Sequence, residues 1–321
     1  MATQSIVKVS ELLYPRLTVP DLDAMEAFLM DFGMVRAARD ADTLYMRGTG
    51  AGAYVHVVHK GATGFAGFAF GVASRNDLDR LAASEGFSAV EPRTEPDGGW
   101  RTTTRDLDGN FVEVVFGHVF NDAKGVAPRR LNIGDRFERI GELQRVPPRP
   151  SRIKRFGHIA LNVASPAEAL VWYNARFGLI ASDRVNIAPG MPAAIFVRCD
   201  RGVVPTDHHT MLFASSMATA GVSGLNHLSW EVCDIDDVHA GNAHLAAKRH
   251  AHEWGIGRHL LGSQIFDYWR DPWGHIHEHW TDGDQLDASI PAGDHPISGA
   301  QASQWGPDMP PSFGRTIAPT N

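Results

Sequence analysis

The stretch "RDPWGHIHEHW" (270–280) has a twin at "RDLDGNFVEVV" (105–115), and both read as strand, tight glycine turn, strand, with a glutamate four residues past the glycine. Two more pairs precede them in the same order. "YPRLTVPDLDAMEAFLMDFGM" (14–34) matches "HIALNVASPAEALVWYNARFGL" (158–179), and "AGFAFGVASRNDLDRLAA" (66–83) matches "NHLSWEVCDIDDVHAGNAHLAA" (226–247). In the first pair Asp21 and Ser165 are helix N-caps, Pro166 opens the second helix, and Gly33 and Gly178 end the two helices. The spacing between partners widens along the chain, so the insertions lie in the second copy.

A strand–helix–strands unit written four times sets the fold class. Each unit, of about 50 residues, is too small to bury its own sheet face, so the units must pair, two to a domain. The expected division is a first domain over 1–118, a linker over 119–152, a second domain over 153–283 and an extended tail over 284–321. The proline- and arginine-rich "RVPPRPSRIKR" (145–155) marks the linker's end, and Trp305 and Phe313 are candidate anchors for the Pro/Gly-rich tail.

Composition narrows the partners. With 321 residues and a formal charge of −7, the chain lacks the clustered basic charge that nucleic acid or an anionic membrane requires. No apolar run is long enough to span a bilayer or act as a signal peptide, so a cytoplasmic location is expected. Two cysteines, Cys199 and Cys233, make neither a disulfide framework nor a cysteine-based zinc site. Histidine is the anomaly: of 16, 13 lie at or after position 158.

Residues two apart on a strand share a face. His158 goes with Ala160 and Asn162, and His227 with Ser229 and Glu231, so both histidines lie on a small or polar face. Glu278 falls with Ile276 and Trp280, opposite His275, His277 and His279. A carboxylate among apolar neighbours needs a partner once buried, and a metal is such a partner. The repeat supplies an internal control, because the first-half counterparts of His158, His227 and Glu278 are Tyr14, Gly67 and Glu113. Two of three potential ligands are missing there, which points to a function added in the second half. Two histidines and one carboxylate on separate strands describe a facial triad with open positions.

These residues carry a resemblance to a known family. The whole chain resembles the type I extradiol ring-cleaving dioxygenases of the vicinal oxygen chelate superfamily, and "GRHLLGSQIFDYWRDPWGHIHE" (257–278) is similar to their signature. Asp267 departs from it, standing where an apolar residue usually precedes the tyrosine. The resemblance implies an α+β fold of four βαβββ modules forming two tandem domains, each an open eight-stranded mixed β-barrel with outer helices, the first without metal. It implies that His158, His227 and Glu278 bind Fe(II), or in some members Mn(II). It implies further that His209 is the acid–base residue, that Tyr268 bonds a substrate oxygen, and that His259 stands behind the ligands. His208 and His209 point to opposite sides of a strand, so only one can enter the pocket. Apolar walls are expected from Trp254, Ile265, Phe266, Trp269 and Trp273. The expected partners are a catechol-type substrate and dioxygen, with no nucleic acid or membrane, in a homo-oligomer.

Blander readings stand beside these. Strand parity assigns His275, His277 and His279 to an exterior or interface face, with a subunit contact as the alternative. His239, His244, His250 and His252 belong to a solvated helix face. Competing functions on the same fold are a metal-dependent isomerase or lyase, and a binding protein without catalysis.

Overall fold

The structure, a computed structural model, describes residues 4–127, 129–297 and 303–314. The first half runs β1 (Glu11–Val19), α1 (Leu22–Phe32), β2 (Val35–Arg39), β3 (Thr43–Arg47), β4 (His56–Lys60), β5 (Gly64–Gly71), α2 (Arg75–Ala82), β6 (Glu91–Pro92), β7 (Trp100–Arg105) and β8 (Phe111–Phe116). A small exposed hairpin, β9 (Asn132–Ile133) and β10 (Arg136–Phe137), follows. The second half runs β11 (Ile153–Val163), α3 (Pro166–Phe177), β12 (Leu179–Ala188), β13 (Met191–Cys199), β14 (Thr206–Asp207), β15 (Met211–Ser215), β16 (Gly224–Val232), α4 (Ile235–Ala247), β17 (Ala251–His259), β18 (Ile265–Arg270) and β19 (Ile276–Thr281). The tail adds β20 (Gln285–Leu286), β21 (Gly293–Pro296) and β22 (Ser303–Trp305).

The repetition seen in the sequence is a repetition of topology. The first sheet has the order β2-β3-β4-β1-β5-β8-β7-β6, and the second β12-β13-β15-β11-β16-β19-β18-β17, with β21 and β22 added at its two edges. In each, the first and last strands of every module pair in parallel, β1 with β4 and β5 with β8, β11 with β15 and β16 with β19, whereas the modules join through the antiparallel pairs β1–β5 and β11–β16. The tail strands thus cover edges that would otherwise expose unpaired backbone.

Local chemistry places the helices as the sequence predicts. The Asp21 side chain accepts from the backbone N–H groups of Asp23 and Ala24, and Gly33 (φ 121°) ends α1. Ser165 accepts from Glu168 N–H, and Gly178 ends α3 in the left-handed region. A Cβ on Gly33 would lie 2.1 Å from the Ser151 carbonyl, so any other residue would push the two halves apart. Helix α1 buries Met25, Phe28, Leu29 and Phe32, each worth about 1.5–3 kcal/mol once removed from water. These residues join one apolar cluster that runs through both halves and includes Phe156, Leu161, Trp230 and Leu245.

The histidine face of β19 corrects one expectation. His275, His277 and His279 are buried, not exterior, and His277 and His279 meet the first half of the same chain. His279 Nε2 donates to the Phe32 carbonyl at 2.7 Å and its ring stacks on Phe32. His277 lies flat on Trp230 and edge-on to Phe28. His275 Nδ1 pairs with buried Asp271 at 2.6 Å. The helix histidines divide. His239 is exposed as expected, whereas His244 and His250 both bond Asp31 of α1, at 2.9 and 3.0 Å. His252 reaches Asp267 at 2.8 Å. Parity along one strand cannot reveal that helix α1 of the first half covers the face, and His244, His250, His277 and His279 all contact that helix. Among the described residues no helix is long and apolar enough to cross a membrane.

Candidate metal centre

Register brings the three singled-out residues together. Glu278 on β19 pairs across to Ser229 on β16, and Ser229 pairs with His158 on β11. His227 lies two residues before Ser229 and so faces the same side. His158 Nε2 is 3.0 Å and His227 Nε2 3.9 Å from Glu278 Oε2. The three donor atoms lie within 4.8 Å of one another, and all three side chains are buried.

The donor set suits a divalent cation. Two donors at adjacent positions about 2.1 Å from a shared ion stand about 3 Å apart, a distance that the His158–Glu278 pair already has. Glu278 Oε1 is buried without a hydrogen-bond partner. Burial alone would raise the Glu278 carboxyl, yet His158, His259 and His227 hold it well below the usual carboxylate range. Burial pushes His227 down to about 3, so this imidazole brings a lone pair and no charge at neutral pH. His227 Nδ1–H donates to Asn226 Oδ1 at 2.9 Å, which leaves Nε2 free to ligate. Asn226 is itself anchored, its amide donating to Asn162 Oδ1 at 3.0 Å. Ser229 Oγ donates to Glu278 Oε2.

Around this cluster the other candidates sort by strand parity. Tyr268 on β18 pairs with Glu278, and its hydroxyl lies 2.8 Å from His259 Nε2. Burial, then the Glu278 charge, push the Tyr268 phenol well above its ordinary value, so it stays protonated. The His209 ring lies against His158, centroids 4.1 Å apart, and burial holds it well below the ordinary imidazole range. Trp254 stacks on Tyr268 at 5.5 Å, and Phe266 packs on Trp254 and on His259. His208 turns away from the ligands toward Asp183.

Ile265 and Trp269 stand on the other face of β18 with Asp267, and Trp273 is a half-buried turn residue packed against the main core. None of these three walls the centre. Asp267, the departure in the signature, is buried on that far face. It accepts from the Trp269 indole at 2.6 Å, from Asn242 and from His252, while burial raises its carboxyl. A carboxylate is satisfied there because three donors converge on it.

Several residues escaped the sequence reading. Phe313, foreseen only as a surface anchor, closes over the centre, 4.8 Å from the Tyr268 ring and 5.7 Å from that of His227. Its turn is tied down by Asn162, whose amide donates to the Gly314 carbonyl at 2.8 Å. Ser229 was legible in principle, sharing the His227 face. Asn226 and Phe313 carried no signal of their own.

Residues 155–278 match the family described as the Glyoxalase/Bleomycin resistance protein/Dioxygenase superfamily. Metapyrocatechase 2 of Cupriavidus necator is 31% identical over 309 residues, 93% of this chain and 89% of its own length. Among solved structures, the Mn(II)-bound glyoxalase from Novosphingobium aromaticivorans has a TM-score of 0.80 at 23% identity, covering 97% of this chain and 96% of that one. Homoprotocatechuate 2,3-dioxygenase from Brevibacterium fuscum, in complex with 3,4-dihydroxyphenylacetate, has a TM-score of 0.79 at 16% identity, covering 99% and 95%. The structural likenesses show a shared fold, and the sequence relative spans nearly the whole chain at an identity that fold alone does not require. The chain belongs to the extradiol ring-cleaving dioxygenases of the vicinal oxygen chelate superfamily.

Proposed function

We propose that this protein is an Fe(II)-dependent extradiol dioxygenase that opens a substituted or fused catechol beside its diol in aromatic degradation, with Mn(II) the alternative ion. The observation that carries the reading is the buried Glu278 with two flanking imidazoles and one oxygen that accepts no hydrogen bond, in a chain similar to Metapyrocatechase 2. His158, His227 and Glu278 would hold the ion, leaving three adjacent positions open. With iron(II) held there, the two diol oxygens could chelate it, and the ion would supply a path for electron density from the ring to dioxygen.

The remaining work falls to the protein. His209, kept uncharged by burial, is suited to take a diol proton and return it to an oxygen later in the cycle. Tyr268, kept protonated, donates to oxygen as negative charge develops there. His259 fixes the direction of that hydroxyl through its 2.8 Å contact. Trp254, Phe266 and Phe313 supply apolar walls and exclude water. Both atoms of O2 enter the product, one C–C bond breaks, and an aldehyde and a carboxylate form at its ends. In this division of labour residues 1–118 buttress, 119–152 link and 153–283 catalyse, and from the tail over 284–321 Phe313 closes over the site. A homo-oligomer is expected from the family, and light scattering on the purified chain reads it.

The likeness to a Mn(II)-bound glyoxalase favours one second reading, an isomerase or lyase that uses the ion as a Lewis acid. Oxygen uptake separates the two. Protein loaded anaerobically with Fe(II) is expected to consume O2 with a catechol panel and release a yellow ring-fission product. Turnover of a substrate without O2 would replace the dioxygenase reading with the isomerase one.

A further inference from the structure

Behind His209 lies an array that the ring-opening reading does not use. His208 Nδ1 and His209 Nδ1 are 3.1 Å apart, so one must donate to the other. His208 Nε2 lies 2.7 Å from Asp183 Oδ2, and His295 Nε2 lies 2.7 Å from Asp183 Oδ1. The chain of contacts runs from the metal centre through His208 and Asp183 to His295, whose side chain is 40% exposed.

The fold holds each link. Ser182 Oγ donates to the His208 carbonyl and the His208 N–H donates to the Asp284 carbonyl, the latter at 2.8 Å, so the backbone is pinned on both sides. Gly262 lies against the His208 ring, where a Cβ would come within 2.9 Å of Nδ1. The tail strand β21 runs parallel to β12 with Gly293 opposite Asp183, and a Cβ on Gly293 would meet Asp183 Oδ1 at 2.1 Å. A side chain at either glycine would spoil the array. Phe196 packs against both imidazoles.

The proton positions follow from donor counting. An ionised Asp183 accepts only, so His208 presents Nε2–H to it. When His208 carries one proton, that proton goes to Asp183 and leaves Nδ1 bare, so His209 is the donor across the 3.1 Å contact. The proton of His209 then sits on Nδ1 and its Nε2 keeps a lone pair. Among the described residues nothing bonds that Nε2, and the ring that carries it packs on His158.

We propose that Asp183 and His208 are positioning residues that fix His209 in the tautomer with a bare Nε2 at the metal centre, and that the C-terminal tail completes the array through His295. The proposal rests on the reading of His209 as the acid–base residue, but its own claim concerns where a proton sits. Asp183 is 15% exposed, and although burial pushes its carboxyl up, the bonds from His208 and His295 hold it below the usual range.

The test reads the tautomer directly, by nuclear magnetic resonance of isotope-labelled imidazole nitrogens in the full-length, zinc-loaded protein, with His209→Ala assigning the signal. The expected result is a proton on Nδ1 of His209 in the wild type, lost as a single state in His208→Phe. A proton on Nε2 in the wild type overturns the proposal, and this measurement needs no variant to fold beyond the assignment. Kinetics of the iron-loaded protein give the second arm. His208→Phe should lower kcat about 10- to 100-fold at unchanged KM and metal content. His208→Asn, whose amide oxygen stands where Nδ1 stood, should recover most of it. Equal kcat in wild type and His208→Phe overturns the positioning role, whereas full activity in His209→Ala overturns the acid–base reading and leaves the tautomer result intact.

Discussion

Glu113 and Glu278 occupy the same register position in the two halves, and both are fully buried. Around Glu278 stand imidazoles, a serine and a tyrosine. Around Glu113 stand guanidinium groups: Arg16 at 2.9 Å, Arg101 at 3.2 Å and Arg93 at 3.8 Å, with the Tyr14 hydroxyl donating at 2.9 Å. Burial raises both carboxyls and the surrounding groups lower both below the ordinary range. The source of the opposing charge differs. Arginine carries its cation permanently on the chain, whereas a neutral imidazole brings only a lone pair and leaves the charge to be supplied from outside. One buried carboxylate in a barrel can therefore be a structural ion pair or a metal site, and its neighbours decide which.

The sharpest way to break that comparison is to remove a donor on each side. His227→Ala should weaken metal binding more than about 100-fold and abolish oxygen uptake, since removal of even a group behind a ligand costs 10–100-fold. Glu113→Gln should leave metal stoichiometry unchanged by elemental analysis. A loss of metal in both would mean that the halves do not divide the work.

A smaller effect is expected from Arg16→Met, which strips the main cation from Glu113. Breaking a buried pair costs about 3–5 kcal/mol, and the low end is expected because Arg93 and Arg101 stay. Urea unfolding should show this, and Arg16→Met with Glu113→Leu should recover most of it. An equal loss in the double variant would show that Arg16 acts through packing rather than charge.

The smallest effect concerns acid. His279 is pushed by burial from 6.5 to about 4, while its first-half counterpart is Val114. The unfolded chain therefore takes up this proton before the folded one does. Stability is full above pH 6.5 and is lost as pH falls toward 4, by up to about 3 kcal/mol. His279→Val should flatten that limb in urea midpoints measured across the window, although it forfeits the bond to the Phe32 carbonyl. An unchanged slope would assign the acid sensitivity elsewhere.

The sequence made the repeat, the helix caps and the cluster of His158, His227 and Glu278 legible because these depend on local periodicity and on comparing one half with the other. It did not disclose what crosses between distant segments. Phe313 reaches the centre from the tail, and His244 and His250 find Asp31 in the other half. Trp269 was offered as a wall although its odd spacing from Tyr268 assigns it to the opposite face, an inference that strand geometry already contained.

Gly67, the first-half counterpart of His227, has φ 117°, and a Cβ there would lie 2.3 Å from the Phe111 carbonyl. Its strand partner is Arg16, where His227 faces Ala160. Installing a histidine at this position would demand a backbone change before any ligand could form. The first half is thus closed to a centre of this kind: no single substitution can install one there, and that half is left to serve as a scaffold for its sibling.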